Sequence, residues 1–338
     1  MALLEVEDLR VSFATPDGQL DAVRGLNFAV DSGKTLGIVG ESGSGKSVAT
    51  QAIMGLVRGA RIAGTALFEG NDLLTMDSEA LRKVRGAEVG MIFQDPLSSL
   101  HPYYRVGWQI VEMIRAHDHA IHKRAARERA IELLRLVGIP QADRRVDDFP
   151  HQFSGGMRQR AMIAMAMALN PKLLIADEPT TALDVTVQAQ VLEVMKRLQD
   201  EFGTAIIMIT HDLGVVAEVA DDVVVMYAGA VMEAARRDAT FYNAHHPYTE
   251  GLLLSLPGYG TRDRLVPIAG QPPSLINLPV GCPFRPRCPY AFERCVETPP
   301  LFDVSDNEEP HGSACWLPSD RKVRAGMRHG VEPKAAKQ

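Results

Sequence analysis

Eight consecutive residues constrain this chain more than any others. Gly40-Glu41-Ser42-Gly43-Ser44-Gly45-Lys46-Ser47 follows the pattern G-x-x-x-x-G-K-[ST], directly after the short apolar strand expected over Lys34 to Val39 and before a helix expected from Gly45 to about Leu56. A strand that stops in a glycine-rich turn and restarts as a helix leaves backbone N–H groups turned inward, where they suit phosphate oxygens. The helix N-terminus adds its dipole. In that setting Gly40, Ser42, Gly43, Ser44 and Gly45 form a phosphate cradle. Lys46 reaches the β- and γ-phosphates of a nucleotide, Ser47 offers a hydroxyl to Mg2+, and Val48 continues the site into the helix.

Downstream, Leu173 to Glu178 reads LLIADE: four apolar residues of a buried strand, then two acids. Two carboxylates at a strand end are often merely solvated. After a phosphate loop they suggest Asp177 holding Mg2+ through water and Glu178 orienting or deprotonating an attacking water. Around these motifs, residues 3–13 and 19–30 alternate apolar and polar, as antiparallel strands do, and 61–69 and 88–93 read as further strands. The pattern turns helical from Val106 to Val137, where the charge run reads as a solvated face, and again over Ser154 to Leu169 and Val185 to Phe202. Thr204 to Thr210 is a strand. Strands alternating with helices of this length indicate an α/β fold on a parallel sheet.

Bulk properties remove several alternatives. The 338 residues carry a formal net charge of −6, with 46% hydrophobic and 23% charged, an ordinary globular composition without the basic signal of a nucleic-acid binder. The longest apolar stretches, such as Ala161 to Leu169, fall far short of the roughly 20 residues that span a bilayer. The opening MALLEVEDLR has no basic region and holds Glu5, Glu7 and Asp8, unlike a secretory signal. A cytoplasmic location is expected, with any membrane contact made through a partner.

Between the two phosphate-site motifs lies Phe153-Ser154-Gly155-Gly156-Met157-Arg158-Gln159-Arg160. Here the sequence resembles the ABC ATPase family, whose signature is written LSGGQ; Phe153 and Met157 depart from it. Physically, Ser154, Gly155 and Gly156 open a helix and so make a second anion-binding N-terminus. One ATP cannot sit on both ends within one chain, and in the family the second end completes a partner subunit's site. The resemblance extends to Gln94 of FQDP as the Mg2+-sensing glutamine facing the membrane subunits. It extends also to Thr181-Ala182-Leu183-Asp184 as the loop that includes the nucleotide-site residue Asp184, to His211 as the γ-phosphate switch histidine, and to Phe13 as the aromatic stacking on adenine. It implies a P-loop ABC-type ATPase with an antiparallel β subdomain, a RecA-like parallel core and a helical subdomain at about 95–170, all within residues 1–255.

FQDPLSSLHP, HPYTEGLLLSLP and the cysteine-bearing tail narrow the resemblance to ATPase subunits of oligopeptide and dipeptide importers, with His101 where an Asn is common. That implies a homologous second ATPase subunit, two transmembrane permease subunits and an extracytoplasmic solute-binding protein, at the cytoplasmic face of the inner membrane. Dipeptides, oligopeptides, nickel chelates and opines all fit as solutes. The competing readings are an ABC-type ATPase of DNA repair or chromosome maintenance, which would carry coiled coils or basic surfaces, and a ribosome-associated ABC protein, which would carry two phosphate loops.

From Pro257 to Pro318 prolines are frequent and periodicity is poor, so a small irregular extension is expected over 256–318, and 319–338 reads as disordered. All four cysteines fall here, at C-x5-C-x6-C-x19-C: Cys282, Cys288, Cys295 and Cys315. Zinc modules favour shorter C-x2-C gaps, whereas longer gaps suit the wider corners of a [4Fe–4S] cluster. Zinc and unliganded buried thiols stay open. Arg285, Arg287 and Arg294 could offset thiolate charge, and the resemblance adds that such a cluster is known among dipeptide-importer ATPase subunits. Its distance in sequence from every phosphate-binding motif suggests a structural role, fixing the tail against a neighbouring subunit.

Overall fold

The computed structural model describes residues 2–95, 99–181, 183–256, 267–305 and 309–318. Pro96 to Ser98, Ala182, residues 257–266 and 306–308 of the expected extension, and the whole 319–338 tail lie outside the described residues.

The alternating N-terminal runs become two long antiparallel strands, β1 (Leu4–Thr15) and β2 (Gly18–Val30), which pair from Leu4↔Val30 to Thr15↔Gly18. β4 (Ala60–Phe68) pairs antiparallel on the other side of β1 and β5 (Asn71–Asp72) closes the set, giving the order β2-β1-β4-β5. The second sheet holds β3 (Thr35–Val39), β6 (Val89–Ile92), β7 (Leu173–Asp177), β8 (Ala205–Thr210), β9 (Asp222–Tyr227) and β10 (Ala230–Arg236). β3, β6, β7, β8 and β9 run parallel, and β10 returns antiparallel to β9.

Every residue of β3, β7 and β8 is buried, which is why these strands read as continuous apolar runs: a parallel sheet covered on both faces has no polar side to show. The period of two survives in what each residue touches. Along β8, Ile206 and Met208 join the helices, whereas Ile207 and Ile209 join β1, β2 and the Lys46–Ile53 helix. Helices Val106–His117, Lys123–Leu136 and Gly155–Ala166 pack through Ile110, Ile114, Leu133 and Ile163 into the first of these clusters.

The 106–137 helical pattern is two helices, not one. Asp118 accepts hydrogen bonds from the N–H groups of Ala120 and Ile121 (3.0 and 3.2 Å), and the His122 ring accepts from Arg124 N at 3.3 Å as a cap. Local side-chain acceptors here override the helical period.

The extension is less irregular than its prolines suggest. β11 (Phe302–Asp303) and β12 (His311–Ser313) add to the central sheet beside β10, giving the order β11-β12-β10-β9-β3-β8-β7-β6. Glu233 of β10, fully buried, holds this junction: its carboxylate accepts from His245 N (2.5 Å), His246 N (3.0 Å) and the His311 ring (2.7 Å). Burial alone would raise its pKa, but the bonds from the His311 ring and the His245 N–H outweigh it and hold the carboxyl below the usual range.

Glu233→Gln puts an amide donor against one of the two backbone donors, because His245 N and His246 N bind different carboxylate oxygens. It should lower stability by about 2 kcal/mol, the worth of hydrogen bonds to a charged group, measured by denaturant unfolding. Because the folded carboxyl is depressed, the stabilisation is complete above the unfolded value of about 4.3 and is lost as pH falls through the folded one. The loss of stability on acidification should therefore be shallower in the variant than in the parent.

Candidate active site

The phosphate loop runs from the end of β3 into the Lys46–Ile53 helix, and its glycines are forced by packing. Gly40 has φ 156° and Gly45 φ 96°; a Cβ on Gly40 would lie 2.1 Å from Met226 O, and one on Gly45 2.2 Å from Ala22 O. Both neighbours are backbone and cannot give way. Inside the turn, Lys46 Nζ donates to Gly40 O (2.7 Å), Glu41 O (3.0 Å) and Ser44 Oγ (3.4 Å). Lys46 is 5% exposed, and burial lowers its pKa against the raising pull of Glu178, Asp177 and Glu41. An ammonium so confined is poised for an anion.

Five sequence-expected residues, Ser47, Gln94, Asp177, Glu178 and His211, meet where β3, β6, β7 and β8 end. Ser47 Oγ donates to Asp177 Oδ1 at 2.7 Å, and burial raises the Asp177 pKa. Next to it, Glu178 sits at φ 48°, a left-handed conformation uncommon outside glycine. Its N–H is held by Ile209 O at 2.8 Å, and its carboxylate accepts from Gln94 Nε2 (3.0 Å) and Thr181 Oγ1 (2.8 Å) and lies 3.3 Å from His211 Nδ1. Burial opposes ionisation of Glu178, but Thr181, His211 and Lys46 outweigh it and hold the carboxyl below its ordinary value. It is an ionised acceptor with an imidazole and an amide oriented on it.

The remaining expected residues lie on separate elements. Ser154 caps the Gly155–Ala166 helix, accepting from Met157 N at 3.3 Å. Gly155 is exposed, with nothing within 4 Å of an added Cβ. Among the described residues, no hydrogen bond joins 154–156 to 40–47. Asp184 likewise caps Val185–Phe202, accepting from Val187 N at 3.0 Å. Phe13 and Val48 are partly buried against the cluster between the two sheets.

The four cysteines line one small apolar cavity together with Phe284, Tyr290 and Trp316. That cavity is only about 10 Å³, the space of one water molecule. Among the described residues no three His, Cys, Asp or Glu side chains are grouped to hold a metal ion. The expected convergence of the cysteines is present, but a formed ligand set is not. Burial raises the pKa of Cys282 and pushes Cys288 up to about 12, so these thiols are neutral.

Two expectations about this tail are corrected. Arg287 does not serve the thiols: its guanidinium forks onto Glu41 of the phosphate loop, Nη1 to Oε2 at 2.5 Å and Nη2 to Oε1 at 3.0 Å. Nor is the tail remote from the nucleotide motifs, because this contact bridges 246 positions. Sequence reading missed Glu41, Tyr227 and Tyr248 as members of this neighbourhood. Glu41 occupies a variable position of its motif, and nothing local marked its partner.

A phosphate loop, a hydroxyl–carboxylate pair suited to Mg2+ and an oriented second carboxylate, all at one end of a parallel sheet, define a nucleotide-hydrolysing site. The ABC transporter family model matches residues 23–181, and that of the oligopeptide/dipeptide transporter C-terminal region matches 232–295. The oligopeptide transport ATP-binding protein OppD of Bacillus subtilis is 56% identical over 93% of this chain and 88% of its own length. The OppD protein of Salmonella typhimurium is 54% identical over 94% of each chain, and the dipeptide transport ATP-binding protein DppD of Lactococcus lactis 50% identical over 93% of this chain and 90% of its own. A dimeric ATP-binding cassette solved in a post-hydrolysis state bound to ADP and Pi matches with TM-score 0.63 and 26% identity, over 69% of this chain and 98% of that one. The chain belongs to the family of ABC transporter ATP-binding subunits, which are ATPases, in its oligopeptide and dipeptide transport branch.

Lys46→Ala removes the one buried ammonium in the loop. It should weaken nucleotide binding about 10- to 100-fold, the range for losing hydrogen bonds to a charged group, read by titration with a non-hydrolysable ATP analogue. Unchanged affinity would remove Lys46 from the phosphate site.

Proposed function

We propose that this chain is the ATP-hydrolysing subunit of an importer for oligopeptides or dipeptides, or a related small solute, working at the cytoplasmic face of a cell membrane. The observation carrying the solute class is the close match to peptide-transport ATP-binding proteins along nearly the whole chain, C-terminal region included. Among the described residues no helix is long and apolar enough to cross a membrane, in keeping with permease subunits supplied by partners. An open apolar groove of about 790 Å³ beside Gln94, lined by Leu56, Met91, Phe93 and Met113, supports docking of such a partner. So do exposed Tyr103 and the stacked pair Tyr104–Trp108 at 4.3 Å. A solute-binding protein outside the membrane would select the cargo.

In this reading Gly40 to Val48 hold the triphosphate, Lys46 meets the β- and γ-phosphates, and Phe13 stacks on adenine. Ser47, Asp177 and Gln94 would hold Mg2+. The fit is chemical: a buried hydroxyl–carboxylate pair whose charge burial disfavours is relieved by a divalent cation. Bound there, Mg2+ would neutralise charge developing on the transferred phosphate. Glu178 orients or deprotonates the attacking water, with His211 beside it to sense the γ-phosphate. Ser154, Gly155 and Gly156, at a helix N-terminus where Ser154 and Gly155 are exposed, complete the site of a homologous second ATPase subunit, and Asp184 lies at the same junction. The dimeric state of the matched cassette supports this head-to-tail arrangement. ATP's extra contacts with the closed pair would then shift the permeases between their two facing states.

The division into an ATPase unit over 1–255, with a helical region at about 95–170, and an extension over 256–318 belongs to the same reading. So does a [4Fe–4S] cluster on Cys282, Cys288, Cys295 and Cys315, supported by the common cavity they line. Seating it requires the thiols to move apart and ionise. Anaerobically purified protein should be brown, with iron and acid-labile sulfide in about equal amounts; colourless protein containing stoichiometric zinc or no metal overturns the cluster.

Glu178→Gln keeps the shape and the Mg2+ ligands but removes the base. Turnover should fall about 10²- to 10⁴-fold while ATP binding persists, and ATP should trap the closed ATPase pair, measured by phosphate release and by mass in solution. Normal turnover would remove Glu178 from the reaction.

A further inference from the structure

Arg287 lies between Cys282 and Cys288, yet its side chain is only 5% exposed and reaches into the nucleotide site. Besides its two bonds to Glu41, it donates through Nη1 to Tyr227 Oη (3.2 Å) and through Nε to Ala269 O (2.9 Å). Its guanidinium lies 5.7 Å from the Tyr227 ring and 6.0 Å from that of Phe284, itself in the cysteine loop. Tyr248, fully buried, packs on Tyr227 and Phe284 at 4.6 and 5.2 Å and accepts Glu41 N–H at 2.9 Å. Both the backbone and the carboxylate of Glu41 are thus held by elements C-terminal to the ATPase motifs.

We propose that Arg287 is a positioning residue of the nucleotide site: by neutralising and anchoring Glu41 it makes docking of the cysteine loop and binding of the triphosphate favour one another. Two effects act in the same direction. An unpaired Glu41 carboxylate would repel a polyphosphate seated in the adjoining cradle, and its charge is already felt at Lys46. The bidentate fork also fixes the backbone at which the cradle begins, which only a planar guanidinium does in this geometry. The coupling is reciprocal by thermodynamic necessity, so whatever loosens the cysteine loop weakens nucleotide binding, and nucleotide tightens the loop. The inference rests on the nucleotide-site reading and not on what the cysteines hold.

The test uses the full chain and a non-hydrolysable ATP analogue with Mg2+. Arg287→Gln should raise the Kd about tenfold, within the usual range of such couplings. The neutral pair Glu41→Gln with Arg287→Gln should recover part of that loss, leaving the Kd about two- to fivefold above the parent, because the uncompensated charge is then gone while the fork is still missing. An unchanged Kd in Arg287→Gln, or no recovery in the double variant, overturns the coupling. Should Arg287→Gln fail to fold, hydrogen exchange on the unaltered chain decides: the analogue should slow exchange across residues 284–290, and no slowing overturns the inference. Failure of the nucleotide site itself looks different, since the parent chain is then silent to the analogue in both measurements and the inference falls with it.

Discussion

The site depends on one constraint: parallel strands deliver all their carboxyl ends to the same edge. β3, β7 and β8 are neighbours in the sheet, so the residues just beyond Val39, Ala176 and Thr210 must share one crevice. Lys46, Ser47, Asp177, Glu178 and His211 come together there although they span 166 positions. No residue of the site needs a long-range partner chosen for it alone, because the sheet's register already supplies the neighbours. Tight packing then fixes the rest. The phosphate loop can lie where it does only because two glycines allow Met226 O and Ala22 O to approach.

Much of this was legible from the sequence because its signals are local. A glycine-rich turn between strand and helix, two acids after an apolar run, and a serine before two glycines are each read within eight residues. The alternation of 3–13 and 19–30 survives as β1 and β2 because those strands are buried on one side, and period two is the mark of that. The helical stretch of 106–137 shows the opposite failure. Its apolar period runs through Asp118 and His122, but their side chains capture the backbone donors that a continuing helix needs.

What was illegible depended on contacts without a pattern. The extension looked irregular because β11 and β12 are two and three residues long, too short to show a period. Arg287 looked like a counter-charge for nearby cysteines, since proximity in sequence was the only available guide. Folding brings it to a carboxylate in the first variable position of the phosphate loop instead, across a block of aromatic rings from three segments of the chain. No composition or spacing rule connects residue 41 to residue 287.

The addition of β12 to β10 has a meaning for the chain's solubility. A strand at the margin of a sheet offers unpaired amide and carbonyl groups to any passing strand, and natural proteins cover, shorten or charge such margins. Here the last strand of the ATPase core has its outer row of donors and acceptors taken up by Gly312 and its neighbours, and the new margin is a two-residue strand carrying Asp303. The same tail that leans on the phosphate loop thus also covers the β10 edge of the sheet, so a chain cut ahead of β11 would bare a templating edge before it lost any catalytic residue.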